Sequence, residues 1–200
     1  RQHQCWRNFP IVYSWDDHDY GPNNSDGTLV TKSNAAQAYR ERVPHYPLPN
    51  SSGPIYHHFE IGRVLFMVAD CRFERTPNHE PDDEDKTMLG DAQKDWMAEV
   101  LSTSSAEFLV WFEIDQWHDE HQNDSWNQFR TEQAELIELF TQTGWINRMC
   151  VIGGDLHLIS MDTGRNAPGG LPTCLFASLD ASPATGFDIW DIGRHGSRNQ

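Results

Sequence analysis

The sequence predicts an α/β protein in which helices pack against a sheet of buried strands. Short apolar runs of strand length alternate with amphipathic helical stretches, and polar, turn-rich loops separate them. The 200 residues suit one domain, and a 12% aromatic share offsets a modest hydrophobic content of 38%. We therefore expect residues 1–200 to form a single layered α/β unit.

The first half of the chain is predicted to contain one strand, one helix and a hairpin. β-branched and aromatic side chains before Trp15 favour a buried strand, Ser33 and Pro44 are start and stop signals for a helix, and Gly62 separates two apolar runs. The predicted elements are a strand at 8–15, a helix at 34–43, and hairpin arms at 55–61 and 63–70.

The second half alternates helices with apolar strands. Apolar stripes at helical spacing, such as that of Leu136, Leu139 and Phe140, indicate helices that face a core. The predicted elements are an acidic loop at 74–89, helices at 91–102 and 127–142, strands at 107–114, 149–154 and 171–179, and an irregular tail at 188–200.

Charge and composition exclude some classes of function. Fifteen basic and thirty acidic residues give a net charge of −15, which disfavours binding to nucleic acid or anionic membranes. The same field repels a phosphate ester unless bound cations invert it locally. No apolar run approaches the roughly 20 residues of a membrane span, and no signal peptide is visible. The four cysteines form no CxxC pair and are predicted to be structurally inert.

A dense polar cluster directly follows the first predicted strand. Asp16, Asp17, His18 and Asp19 are consecutive, and the residues at a strand end are where α/β folds place ligand sites. Crowded carboxylates repel one another unless a cation neutralises them. By composition alone, a solvated acidic turn explains the cluster about as well as a site does.

A second cluster follows the apolar run MCVI. Gly153 and Gly154 permit a sharp turn, and on an extended segment Asp155 and His157 direct both side chains to the same side. Taken alone, this pattern also fits a capping Asp with an incidental His. The two clusters together offer hard oxygens and imidazoles without thiolates. Such a set suits Fe, Mn, Ca, Mg or Zn held for catalysis.

Several segments resemble the alkaline phosphatase D (PhoD-type) metallophosphatases. The segment WDDHDYGPNN is similar to the signature of that family, and IGGDLH is similar to its GD-x-H motif. Between them, FEIGRVLFMVADCR, TMLGDAQKDWM and DSWNQF resemble further family segments in the expected order. The resemblance covers about residues 8–180.

The resemblance implies metal-dependent hydrolysis of phosphate mono- and/or diesters by a metal-activated water, on the layered α/β-β/α sandwich of calcineurin-like metallophosphoesterases. Fe and Ca are the metals it favours, with Mn, Mg or Zn as alternatives. It implies a phosphate ester as the partner and a secreted or periplasmic location, and it leaves the oligomeric state unknown. The implied residues are Asp16, Asp17, Asn23, Asp155 and His157 as metal ligands, His18 and Asp19 as catalytic residues, and Arg72 as a substrate contact.

The sequence departs from the family pattern upstream of Trp15. The early metal-ligand motifs of the superfamily are not found there, so we expect either that the N-terminal part of the catalytic domain is missing or that another polypeptide supplies it. Two alternatives stay open: a catalytically incomplete fragment that only binds divalent cations, and a non-enzymatic acidic surface protein. Asp70 and Arg72 are expected to form an ion pair, and residues 118–121 and 80–85 are expected to be solvated loops.

Overall fold

A computed structural model describes residues 8–119, 123–176 and 190–195. These residues contain one seven-stranded sheet with the strand order β1-β2-β3-β4-β6-β5-β7. The strands are β1 (His57–Ile61), β2 (Val64–Val68), β3 (Phe108–Phe112), β4 (Met149–Gly153), β5 (Ile159–Asp162), β6 (Thr173–Leu175) and β7 (Gly193–His195).

The centre of the sheet is parallel and its two edges are antiparallel. Strands β2, β3, β4 and β6 run in the same direction, whereas β1 pairs antiparallel with β2, and β5 pairs antiparallel with both β6 and β7. The register pairs Val68 with Phe112 and Phe112 with Ile152. The carboxyl ends of β2, β3 and β4 therefore lie level at one edge of the sheet.

The described residues include four helices, and two of them cover one face of the sheet. Apolar side chains of the third and fourth helices share a core with alternate residues of β2, β3 and β4, such as Leu65, Trp111 and Val151. This packing explains why every second strand residue is buried. The helices are α1 (Asp17–Tyr20), α2 (Lys32–Arg42), α3 (Asp91–Thr103) and α4 (Arg130–Gln142), with 3-10 turns at Trp126–Gln128 and Pro168–Gly170.

A second core cluster holds the segment that leads into α1. Trp15, Tyr20, Tyr39 and Phe73 pack together, with ring centroids 5.2 to 6.5 Å apart between neighbours. The Trp15 indole also donates a hydrogen bond of 2.9 Å to Asp70, just beyond β2. Residues 16 and 17 are thereby fixed beside the carboxyl ends of the parallel strands.

The predicted fold class is confirmed, and so are the hairpin, α2, α3, α4, β3 and β4. The strand predicted at 8–15 is wrong: these residues join no strand, and Phe9, Ile11 and Val12 are exposed. The strand predicted at 171–179 is confined, among its described residues, to Thr173–Leu175. β5 and β7 were not predicted. Of the predicted tail, only 190–195 is described, and it contains β7.

Within the described ranges, no helix has the length and apolarity that crossing a membrane requires.

Candidate metal centre

Acidic side chains follow the parallel strands at the edge where those strands end. Asp70 follows β2, Glu113 and Asp115 follow β3, and Asp155 follows β4. Asp70, Glu113 and Asp115 are buried, and Asp155 is half-buried. Because the three strand ends lie level, the fold gathers side chains that are far apart in the sequence.

Two groups of carboxylates meet at this edge. Asp16, Asp17 and Asp155, here the first carboxylate group, each offer an oxygen within 4.8 Å of the others. Asp115, Asp124 and Asp155, the second carboxylate group, satisfy the same limit. Asp155 belongs to both groups. The loop after Trp15 and the turn after β4 therefore meet, although about 140 residues separate them in the sequence.

Backbone amides hold Asp17 in place at the start of α1. Its carboxylate accepts hydrogen bonds of 2.6 Å from the His18 N–H and 2.7 Å from the Asn24 N–H. Asn24 adopts the left-handed backbone region, with a φ of 57°, which suits a short polar side chain. The buried Asp17 is thus oriented by the turn that follows α1.

Two buried arginines neutralise most of the second carboxylate group. Arg72 donates to Asp16 at 2.7 Å and to Asp115 and Asp124 at 3.0 Å. Arg75 donates to Asp115 at 2.6 Å and to Asp124 at 2.5 Å. Both guanidinium groups are almost fully buried. Asp115 and Asp124 therefore already have cationic partners from the protein itself.

The predicted ion pair between Asp70 and Arg72 is wrong. Asp70 accepts hydrogen bonds from the backbone N–H groups of Ile55, Arg72 and Phe73 and from the Trp15 indole. The Arg72 guanidinium extends instead to the three aspartates named above. Asp70 therefore joins neighbouring segments by backbone hydrogen bonds rather than by charge pairing.

Asp155 lies on a turn rather than on an extended strand. Asp155 and His157 have φ angles of 61° and 54°, and the Leu156 N–H bonds back to the Gly154 carbonyl at 2.7 Å. The argument that an extended D-x-H spacing sends both side chains to one side is therefore wrong. The Gln116 side chain fixes Asp155 by a hydrogen bond of 2.6 Å, and His157 is exposed.

The carboxyl pKa values reflect this crowding. Burial raises the pKa of Asp16 to about 6 against the attraction of Arg72, and Asp155 and Asp17 raise it further. Burial likewise raises the pKa of Asp115 to about 6, although both arginines oppose it. Burial and then Asp115 raise the pKa of Asp155. Asp124, in contrast, has a lowered pKa, because the arginines outweigh its burial.

Glu113 is the least compensated of these carboxyl groups. It is fully buried at the end of β3, and one of its oxygens accepts a 2.9 Å hydrogen bond from the Trp126 indole. The other oxygen, Oε1, has no hydrogen-bond partner among the described residues. Burial and the neighbouring Asp115 raise its pKa well above the usual range. A protonated, neutral Glu113 fits this environment.

The predicted site residues divide into two sets. Asp16, Asp17 and Asp155 converge in the first carboxylate group, and Arg72 contacts one member of it. The others are exposed, and none of them belongs to a carboxylate group found among the described residues: His18, Asp19, Asn23 and His157.

Sequence reasoning missed four buried residues of this site. Glu113 and Asp115 directly follow an apolar strand, so the strand-end argument applied to Asp155 would have found them. Asp124 lies in the DSWNQF segment, but nothing in its spacing indicates a contact with Arg72. Arg75 lies in an irregular loop, so no periodic signal marks it. Three of these residues belong to the buried ionic network around Arg72, whereas Glu113 lacks an ionic partner among the described residues.

The loop at 118–121 differs from the prediction. His118 and Asp119 are each only 5% exposed, so this part of the loop is not solvated. The His118 ring contacts Trp190 edge to face, with centroids 5.1 Å apart. Packing against an aromatic ring from a distant segment, which sequence spacing does not reveal, accounts for the burial of His118. Residues 120 and 121 lie outside the described ranges.

The first carboxylate group has the chemistry of a site for a hard cation. Its donors are all carboxylate oxygens, the type that Ca²⁺, Mg²⁺ and Mn²⁺ prefer. It combines three carboxylates with one arginine contact, to Asp16. The raised pKa values of Asp16 and Asp155 show that their ionised forms are disfavoured here, and a bound cation would stabilise those forms. The residues therefore fit a bound metal ion, and the second carboxylate group fits one less well because the arginines already neutralise it.

Fold and site together define an α/β protein with a carboxylate-rich cluster, suited to a cation, at the carboxyl ends of its parallel strands. The model of the PhoD-like phosphatase family matches residues 2–166, which is most of the chain. The chain belongs to the PhoD-like phosphatase family.

Known relatives are longer than this chain. Alkaline phosphatase D of Bacillus subtilis (strain 168) is 28% identical over an alignment of 183 residues, and the match covers 74% of this chain and 31% of that protein. The solved structure of PhoD superposes with a TM-score of 0.69 at 21% identity, covering 82% of this chain and 39% of that one. The chain thus spans about a third of the length of the curated relative that it matches.

A weaker likeness involves GAP50, the anchor in the inner membrane complex of Plasmodium. The TM-score is 0.40 at 11% identity, over 76% of this chain and 47% of that one, which carries no argument about function.

Proposed function

We propose that this chain carries part of the catalytic centre of a metal-dependent phosphoric ester hydrolase that cleaves phosphate mono- and/or diesters. The observation that carries the proposal is the first carboxylate group, in which Asp16, Asp17 and Asp155 converge from remote segments to within 4.8 Å. Membership of a phosphatase family and the similarity to alkaline phosphatase D support the same conclusion.

Asp16, Asp17 and Asp155 would hold the cation. When bound, a cation in such a site polarises the ester and makes a coordinated water more acidic. Ca²⁺ and Fe are the metals favoured by family resemblance, and the oxygen-only donors also suit Mn²⁺ and Mg²⁺. Asn23 and His157 lie outside the first carboxylate group. They remain predicted ligands on the family resemblance alone.

The surrounding residues position these ligands. The Gln116 amide holds Asp155, and the N–H groups of His18 and Asn24 hold Asp17, each through a hydrogen bond of 2.6 to 2.7 Å. Arg72 orients Asp16 from a fully buried position. Because the fold itself supplies these partners, the protein orients the ligands for the reaction.

His18 would protonate the departing oxygen of the ester. Its side chain is exposed beside the buried Asp17, where a substrate can reach it. Imidazole is the side-chain group that most often acts as a general acid or base in enzymes. Asp19 and Arg72 were predicted as further catalytic and substrate-contacting groups. Arg72 is fully buried among carboxylates, which suits a positioning role better than contact with substrate.

Turnover and cation binding should be measured on the same protein. Hydrolysis of p-nitrophenyl phosphate and bis-p-nitrophenyl phosphate would be assayed with added Mn²⁺, Fe or Ca²⁺, and cation binding by calorimetry. Asp17→Asn and Asp155→Asn should reduce both at least about tenfold, as expected when one charged ligand is lost. Asp95→Asn, an exposed carboxylate on α3, is the matched control and should change neither.

The outcomes separate the three interpretations. Cation binding that depends on Asp17 and Asp155, without turnover, would favour a catalytically incomplete member that only binds cations. An absence of both would favour a non-enzymatic acidic protein.

The role of His18 has its own test. His18→Ala should slow the hydrolysis of an alkyl phosphate by about 10²–10⁴-fold. It should slow p-nitrophenyl phosphate much less, because p-nitrophenolate leaves without a proton. Equal losses with both substrates would refute an acid role for His18, and cation binding should remain unchanged.

A further inference from the structure

A polar pocket of about 130 Å³ lies beside the loop that follows β3. Its walls come from residues 117–119 of that loop, from the start of α4, and from the loop after β5. Trp117 directly follows Gln116, whose amide holds Asp155, and the Trp117 indole donates a hydrogen bond of 3.1 Å to the Pro168 carbonyl. Among the described residues, the lining of the pocket and the two carboxylate groups have no member in common.

Gln133 offers an acceptor to this pocket. It lines the pocket and is only 7% exposed. Its Nε2 donates a hydrogen bond of 2.7 Å to the Trp117 carbonyl, which assigns the amide because a carbonyl can only accept. Its Oε1 accepts no hydrogen bond from the described residues, and it is not among their fully buried unpaired atoms. The small surface that Gln133 retains in the pocket therefore includes an unpaired carbonyl oxygen.

Asn127 offers a donor to the same pocket. It is half-buried, and its Oδ1 accepts from Nε of Arg130 at 2.9 Å and also from Nη2. Because a guanidinium only donates, these bonds assign the Asn127 amide as well. Its Nδ2 donates to none of the described residues and is not among their fully buried unpaired atoms. The start of α4 thus supplies one unpaired amide donor and one unpaired amide acceptor.

The rest of the lining favours a small, neutral ligand. Asp119 and Arg130 contribute one acidic and one basic side chain, and Trp117 and Pro168 add apolar surface. The volume of about 130 Å³ equals the share of about four water molecules, which limits the ligand to a few non-hydrogen atoms. A hydroxyl both donates and accepts, so two adjacent hydroxyls can serve an amide donor and an amide acceptor together.

We propose that this pocket binds the vicinal diol of a small neutral polyol. One hydroxyl donates to Oε1 of Gln133, and its neighbour accepts from Nδ2 of Asn127. Each hydroxyl keeps a second hydrogen-bonding function for the charged side chains of the lining, whereas a primary amide donates only at one end and accepts only at the other. The site is distinct from the proposed metal centre, and binding to it does not depend on the proposed hydrolysis.

Three probes of equal size test the proposal. Ethylene glycol carries the diol, 1-propanol has a methyl group in place of the second hydroxyl, and acetamide is the primary amide. Binding of each to the unmodified protein would be followed by ligand-observed NMR titration at pH 7.5. Ethylene glycol should bind about three- to tenfold more tightly than 1-propanol, the effect of one neutral hydrogen bond, and more tightly than acetamide.

Variants at the start of α4 identify the residues responsible. Gln133→Met keeps the length of the side chain but removes the acceptor, and it should lower the affinity for ethylene glycol to that for 1-propanol. Gln142→Met is the matched control, because Gln142 is exposed on the same helix and bonds to Glu138. Asn127→Ala, at a partly exposed turn, should cause a similar loss and serves if Gln133→Met does not fold.

A second measurement uses the unmodified protein alone. In ¹⁵N-labelled protein, ethylene glycol should shift the side-chain amide resonances of Asn127 and Gln133, and 1-propanol should shift them less. Equal affinity for ethylene glycol and 1-propanol, tighter binding of acetamide, or unmoved amide resonances would overturn the proposal. If none of the probes binds, the pocket holds water only and the proposal is likewise refuted.

Discussion

Replacing Arg75 by methionine tests whether the buried arginines stabilise the carboxylate-rich edge. Arg75 is 1% exposed and pairs with Asp115 at 2.6 Å and with Asp124 at 2.5 Å. It also donates two hydrogen bonds, of 3.1 and 2.9 Å, to the Asn78 side chain. Methionine retains much of the aliphatic length but removes the charge and all four contacts.

The expected loss of stability follows from the buried carboxylates of Asp115 and Asp124, which remain after Arg75 is removed. Removing one partner of a buried ion pair costs about 3–5 kcal/mol. Arg72 still contacts Asp115 and Asp124 at 3.0 Å, so we expect the lower end, about 3 kcal/mol at pH 8. The pKa of Asp115 is about 6 with both arginines present, and it should rise further without Arg75. The stability cost of Arg75→Met is therefore largest while Asp115 is ionised, above its pKa. The cost falls as the pH drops and Asp115 takes up a proton.

Urea denaturation at pH 8 and pH 5, with chelator present, measures both effects. Arg75→Met should lose more stability at pH 8 than at pH 5, and adding Asp115→Asn should restore part of the loss. Arg63→Met is the matched control, because Arg63 pairs with Glu107 on the exposed surface and should cost less than about 1 kcal/mol. If Arg75→Met lost no more stability than Arg63→Met, or lost the same amount at both pH values, the buried arginines would not stabilise this edge as argued.

Three further predictions concern the site and its supports. Added Mn²⁺ or Ca²⁺ should raise the melting temperature more at pH 8 than at pH 5, because protons compete for Asp16, whose pKa burial raises to about 6; an equal shift at both pH values would count against the site. Gly153→Ala should lower the free energy of unfolding, measured by urea denaturation, by about 1–3 kcal/mol, because the added Cβ would lie 2.5 Å from the Asp115 carbonyl. Gly154→Ala should be tolerated, because its Cβ would have no contact nearer than 3.5 Å. Glu132→Ala should cost about 2 kcal/mol or more by the same assay, because it accepts from the Thr87 hydroxyl and the Met88 N–H; a loss no larger than that of the exposed Glu138→Ala would contradict this.

Elements with a clear period were predictable from the sequence, and those that depend on distant partners were not. Helix α4 shows an apolar stripe and was predicted, although the predicted helix began at 127, where the structure has the 3-10 turn Trp126–Gln128. The segment before Trp15 has strand-like composition, yet it pairs with no strand in the part of the chain that the structure describes. Strands β5 and β7 are only four and three residues long. So short a segment gives little periodic signal.

The candidate site was predictable where chemistry follows a strand. Asp155 carries that signal after β4. Asp16 and Asp17 were predicted from a strand at 8–15 that the structure does not contain, and they converge with Asp155 because the Trp15 indole bonds to Asp70 beside the end of β2. The orientation of the Asp155 and His157 side chains after β4 was not predictable, because the left-handed backbone at these two residues depends on how the turn packs. The contacts of Arg72 with three aspartates could not be predicted from the sequence either, because they join segments 43 to 56 residues apart.

The arginines explain why one carboxylate group is suited to a cation and the other is suited to structure. Asp155 belongs to both groups but is bonded by a neutral amide from Gln116 rather than by a guanidinium, so its charge remains uncompensated. Asp115 and Asp124 are neutralised by the protein, and they in turn fix Arg72 against Asp16. A cation at Asp16, Asp17 and Asp155 would therefore bind to ligands whose positions are set by a buried ionic network. On this view, Arg75→Met should weaken cation binding as well as stability, even though Arg75 contacts no residue of the first carboxylate group.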